Sequence, residues 1–75
     1  MLSFVIEQAS AVAGSPIAEL PFPEGSAVML IVRGSRLIPP RGPTVLEPGD
    51  HVHVFCLPPD RGFVELLFGR AEEEA

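Results

Sequence analysis

The stretch "LEPGDHVHVF", residues 46–55, sets a tight turn directly against a strand, and the register of that strand decides how the remaining elements can pack. Pro48 presets φ, Gly49 accepts the positive φ of a type II turn, and the Asp50 side chain can bond its own neighbouring backbone. A strand over residues 50–57 then starts in a fixed register. Val52, Val54 and Cys56 occupy one face, and His51, His53, Phe55 and Leu57 the other. Cys56, the single cysteine, reads as a small buried hydrophobe inside an apolar run.

Working outward, the amino terminus alternates Leu2, Phe4 and Ile6 with Ser3, Val5 and Glu7, which predicts a strand with one apolar face. In "SPIAELP", residues 15–21, Ser15 can cap, Pro16 fits a first helical position, and Pro21 forces a stop after one or two turns. The run "AVMLIVR", residues 27–33, is nearly all apolar and predicts a central strand covered on both faces. Gly34 and Ser35 suit a two-residue hairpin loop, so "RLIP" should pair back antiparallel. The segment 39–50 holds four prolines and two glycines, too many to form central strand, because proline has no N–H for the ladder. Beyond it, Asp60 is a plausible helix cap, Phe63, Leu66 and Leu67 share a helical face, and Gly69 is placed to end the helix. The expected fold is a small α+β domain over residues 1–70, with a mostly antiparallel sheet of about four strands and two short helices. Residues 71–75 read as an acidic, disordered, solvated tail.

Composition narrows the function classes. A chain of 75 residues is one domain with a marginal core, and with 47% apolar residues some of its surface is expected to be covered by a second copy or a neighbouring domain. The longest apolar run, residues 27–32, is far short of the roughly 20 residues that span a bilayer, so direct membrane insertion is not expected. A net charge of −5, with five scattered arginines as the basic residues, argues against nucleic acid as a partner. The absence of a disulfide framework suits a reducing, cytoplasmic compartment.

Candidate chemistry is sparse. His51 and His53 project the same way from one strand, but a closed zinc site needs about four ligands and no Cys, Asp or Glu cluster at ligand spacing accompanies them. They read instead as part of a half-exposed face or an interface, where imidazoles titrating near pH 6.5 make a contact sensitive to pH. Cys56 faces away from both, and no serine stands in a strained glycine elbow, so no catalytic residue, metal or cofactor is expected. The acids Glu7, Glu19, Glu24, Glu47 and Asp50 fall near turns and read as solvent-facing or capping residues. Arg33, Arg36 and Arg41 can converge around the hairpin and the proline loop, where they would hold a small anion.

The order of these elements resembles the TrkA C-terminal domain family, also called the regulator of potassium conductance (RCK) C-terminal domain. Its carriers are "ELPFPEG" before a long strand, Arg33 closing that strand ahead of a glycine turn, the spacing of Pro40, Gly42, Thr44 and Leu46, and "PGD" before a hydrophobic strand, all between Phe4 and Phe68. "GPTVLEPGD" and "LLFG" look most like the form attached to bacterial potassium/proton antiporters. The resemblance implies a cytoplasmic domain at the inner face of the cell membrane that forms a homodimer and regulates a membrane-embedded cation transporter, in the same chain or as a partner. It also implies a small anionic regulator such as cyclic di-AMP, for which Arg33, Arg36, Arg41, His51 and His53 are the candidate ligand-binding residues. A second likeness, over residues 28–55, is to sulfur-carrier β-grasp proteins, but the reactive Gly-Gly terminus is replaced by "AEEEA". A pure assembly module is the third reading.

Overall fold

The alternation at the amino terminus becomes strand β1 (Leu2–Val5), with Leu2 and Phe4 buried and Ile6 buried just past its end. The structure is a computed structural model that describes residues 1–69 and 73–74. β2 (Ala27–Arg33) and β3 (Arg36–Ile38) form the expected hairpin, with Gly34 at φ +64° in the loop. β4 (His51–Phe55) follows the proline segment, α1 (Arg61–Phe68) follows β4, and β5 (Glu73–Glu74) closes the chain. All pairings are antiparallel, in the order β3-β2-β4-β1-β5. The α+β class stands, with five strands in place of about four. Of the acidic tail expected over residues 71–75, only Glu73 and Glu74 are described, as β5 beside Leu2 and Ser3; the other three lie outside the described residues.

One layer covers the sheet. Val64 and Phe68 of α1 are buried against its inner face, where Phe68 stacks on Phe4 at 4.9 Å and on Phe22 at 5.8 Å between ring centroids. Val12 and Leu46, from the two long connections, complete the core with Leu2, Phe4, Ile6, Val28, Ile31, Val52 and Val54. The proline segment is tied to the first connection by backbone bonds from Ile17 N–H to Thr44 C=O and from Ala18 N–H to Gly42 C=O.

Four local expectations need correcting. β2 is covered on one face alone: Val28 and Ile31 are buried, whereas Met29 and Leu30 are exposed. Val28 pairs with Val54 and Leu30 with His53, so Met29 is an extra residue in a β-bulge, and the inward positions fall three apart instead of two. The first helix is a single 3₁₀ turn, Ile17–Glu19, with Pro16 at its cap position and no side-chain cap. Pro21 leaves no room for the next turn. At α1, Asp60 makes no side-chain cap bond, because it already belongs to a 3₁₀ turn, Pro58–Asp60, that runs into the helix. Finally, the buried face of α1 is Val64 with Phe68, flanked by half-buried Leu67, while Phe63 and Leu66 face outward.

Candidate functional site

Where β2 ends and β4 begins, three charged side chains meet. Arg33 donates from Nε to Asp50 Oδ1 at 2.8 Å and from Nη2 to Asp50 Oδ2 at 2.9 Å, a bidentate fork. Nη2 also donates to the Val45 carbonyl at 2.9 Å, and Nη1 lies 3.0 Å from Glu47 Oε2. The Pro48-Gly49 turn makes this possible. With Gly49 at φ +92° the chain doubles back, and Glu47 N–H donates to Asp50 Oδ2 at 3.0 Å. Gly49 N–H reaches Ile6 C=O at 2.7 Å and Ile6 N–H reaches Asp50 C=O at 2.9 Å, so the turn is sewn to the end of β1 as well.

Asp50 is completely buried. Burial pushes its carboxyl up, but the hydrogen bonds from Arg33 and from the Glu47 N–H, together with the Arg33 charge, outweigh burial and hold it below the ordinary carboxylate range. The hydrogen bond to Asp50 raises the Arg33 guanidinium above its usual value, against the opposing pull of burial, and the charges of Asp50 and Glu47 add to the rise. This cluster is a fastener between strands. Asp50, expected as a turn residue, is its buried centre, and Arg33 spends its fork on two carboxylates and a carbonyl.

The other candidate residues separate into two places. Arg36 stands in register with Arg33 at the tip of the hairpin and is exposed. Arg41 is exposed in the proline loop, which Thr44 holds in shape: its hydroxyl accepts from Arg41 N–H at 3.1 Å and donates to Pro39 C=O at 2.9 Å. That is the physical content of the Pro40, Gly42, Thr44, Leu46 spacing. His51 and His53 lie together on the outer face of the sheet. The pairing register sets His51 between Val5 and Val32, and His53 between Ser3 and Leu30. Leu37, opposite Val32, and Phe55, opposite Ala27, extend the same face. Leu37 is 70% exposed and Phe55 43%. No layer of this chain's described residues covers this face, and it is mainly apolar.

Among the described residues, no group of three or more His, Cys, Asp or Glu side chains could hold a metal ion. Among the same residues, no helix is long and apolar enough to cross a membrane. What the arrangement offers is a sheet pinned at one end by the Arg33 cluster, with two imidazoles on its uncovered face and two exposed arginines elsewhere, Arg36 in register with Arg33 at the hairpin and Arg41 in the proline loop. Local pattern could not have paired Arg33 with Asp50, 17 residues apart. The available signal was two opposite charges at the adjoining ends of otherwise apolar strands.

Comparison with known proteins fits this frame. The family model of the TrkA-C domain matches residues 1–68. Two curated relatives come from Methanosarcina mazei, "Trk system potassium uptake protein TrkA homolog 1", 29% identical, and "homolog 2", 31% identical, each over 68 residues. The alignments cover 91% of this chain and 15% of each relative, so the chain spans about a seventh of the length of the proteins it matches.

Proposed function

Because the chain belongs to the TrkA-C domain family, we propose that it is a dimerising, ligand-sensing domain that regulates a cation transporter, most closely a potassium/proton antiporter. It does no chemistry of its own; it converts occupancy of a site between two copies into a change in the transporter, to which it is joined in one chain or as a partner. The location that follows is the cytoplasmic side of the membrane. The names of the two relatives place them in potassium uptake, which supports the cation.

The observation that carries this reading is the uncovered face of the sheet. A small domain leaves such a face open where something else covers it. Around a two-fold axis every local charge is doubled, so exposed Arg36 and Arg41 at the sheet's hairpin end would, from both copies, hold one anionic regulator such as cyclic di-AMP, with His51 and His53 on the face between the copies. Charge-assisted bonds of about 1.5–3 kcal/mol each are sufficient to hold it against the long-range repulsion of an acidic chain, which salt screens beyond about 8–10 Å. Arg33 contributes by fixing the hairpin that presents Arg36.

Sedimentation with calorimetric titration of cyclic di-AMP and mononucleotides tests the proposal. The expected result is a dimer at tens of micromolar that binds cyclic di-AMP, with binding weakened by Arg36→Ala and by Arg41→Ala. A monomer at that concentration overturns the dimer. A dimer that takes none of these ligands makes the domain an assembly module.

A further inference from the structure

We infer that the Thr44 hydroxyl is a positioning group for anion binding: it shapes the proline loop so that Arg41 is presented before any ligand arrives. The inference rests on the anion-binding reading proposed above and adds to it a residue that itself touches no ligand.

Residues 41–44 make a turn closed by the Thr44 N–H, which donates to the Arg41 C=O at 3.0 Å. Pro43 takes the third position of that turn, where proline is disfavoured because it draws the residue before it, Gly42, out of the helical region. The turn therefore depends on more than its closing bond. The Thr44 hydroxyl adds two others, accepting from the Arg41 N–H at 3.1 Å and donating to the Pro39 C=O at 2.9 Å. The Arg41 N–H also reaches the Pro39 C=O at 3.0 Å, so Pro39, Arg41 and Thr44 are closed into one knot with the Arg41 backbone at its centre.

The knot is anchored on two sides. Ala18 N–H donates to Gly42 C=O and Ile17 N–H to Thr44 C=O, both at 2.9 Å, and Arg33 Nη2 donates to the carbonyl of the next residue, Val45, at 2.9 Å. Arg33 is also the register partner of Arg36, so the hairpin that carries one exposed arginine is joined through Arg33 to the loop that carries the other. Among the described residues, the guanidinium groups of Arg36 and Arg41 have no hydrogen-bonding or ionic partner. They are available to an anion. A loop whose backbone is already fixed has only side-chain freedom left to lose when Arg41 meets that anion. Without the hydroxyl the presented shape becomes one of several, and the apparent affinity falls by the fraction of chains that hold it.

Thr44→Val keeps the branched outline and removes both hydroxyl bonds. It strands no buried group, because the Arg41 N–H and the Pro39 C=O still have each other and both residues are exposed, so the fold is expected to survive. Calorimetric titration of the full chain with cyclic di-AMP, and with inorganic pyrophosphate as a bare anion, provides the test, with thermal melts by circular dichroism to confirm the fold of each variant. Kd should rise about three- to tenfold in Thr44→Val, and likewise in Thr44→Ala, which adds no bulk; that is the net worth of about one neutral hydrogen bond. Thr44→Ser, which restores the hydroxyl, should bind as the parent does. In an Arg41→Ala background Thr44→Val should weaken binding no further, because the hydroxyl acts through Arg41. Equal Kd in the parent and in Thr44→Val, no recovery in Thr44→Ser, or a further loss in the Arg41→Ala background overturns the positioning role and leaves the anion site standing. A parent that binds neither probe overturns the anion site and this role with it.

Discussion

Val52 and Val54 are closed off from solvent entirely, while His51, His53 and Phe55, interleaved with them on the same strand, are exposed or half-exposed. The two sides of β4 lie one side chain apart and do different work. Inward residues join the core and, one position earlier, Asp50 fastens the strand to β2. Outward residues touch little of their own chain and are free to serve a partner. Two chemically different faces on one strand imply that stability and assembly can be changed separately, and substitutions on each side test that division.

The largest effect is expected at the fastener. Arg33→Met leaves the fully buried Asp50 carboxylate without its counter-ion, which costs about 3–5 kcal/mol. A denaturant melt, or loss of the folded signal altogether, reads it. The pH dependence has opposite signs in the two proteins. In the parent, Asp50 is held below its unfolded value, so its stabilisation is complete above the ordinary carboxylate range, near pH 3.9, and is lost as pH falls through the folded value beneath it. In Arg33→Met, burial is opposed only by the Glu47 N–H bond and the charge of His51, so the carboxyl rises and the variant gains stability relative to the parent as acid is added. A stability gap that stays constant from pH 7 to pH 4 would mean that Asp50 is not ionised in the core.

A smaller loss is expected at the turn that delivers Asp50. Gly49 sits at φ +92°, and a Cβ built there meets nothing within 4 Å, so the penalty expected for Gly49→Val is that of backbone strain and not of a Cβ clash. A β-branched residue in the left-handed region costs about 1–3 kcal/mol. An unchanged melting midpoint would show that the turn can re-form without positive φ. The smallest effect belongs to the outer face. Phe55→Ser should change the unfolding free energy of the monomer by no more than about 0.5 kcal/mol while lowering the fraction of dimer. A loss as large as that of Gly49→Val would place Phe55 in the core and erase the distinction between the faces.

The inner face was legible from residue order because its causes are local. Alternation marked Leu2, Phe4 and Ile6, glycine chemistry marked Gly34, Gly49 and Gly69, and the turn set Val52 and Val54 inward. The readings that failed depended on partners distant in sequence. In α1, both the Phe63, Leu66, Leu67 set and the Val64, Leu67, Phe68 set have helical spacing, and only the stacking of Phe68 on Phe4 and Phe22 selects the second. In β2, an unbroken apolar run carries no information about which side is covered, and the bulge at Met29 removes the alternation that could have told. Arg33 and Asp50 were each visible as a charge near a turn. Their union depends on β2 and β4 lying side by side, as does the separation of Arg33 from the two histidines.

The strand order also constrains the way the chain comes off the ribosome. β4 is the middle of the sheet and bridges β1 to the β2–β3 hairpin, and Val5 finds its partner His51 nearly fifty residues later. At about 5–20 residues per second, the first strand waits on the order of 2 to 10 s before its neighbour has been synthesised. Throughout that interval Leu2 and Phe4, both closed in the finished domain, have no sheet to join, while the β2–β3 hairpin can already form. Closure of the sheet thus waits on β4, which joins both halves, and until it is made β1 is the segment whose apolar face has no strand to cover it.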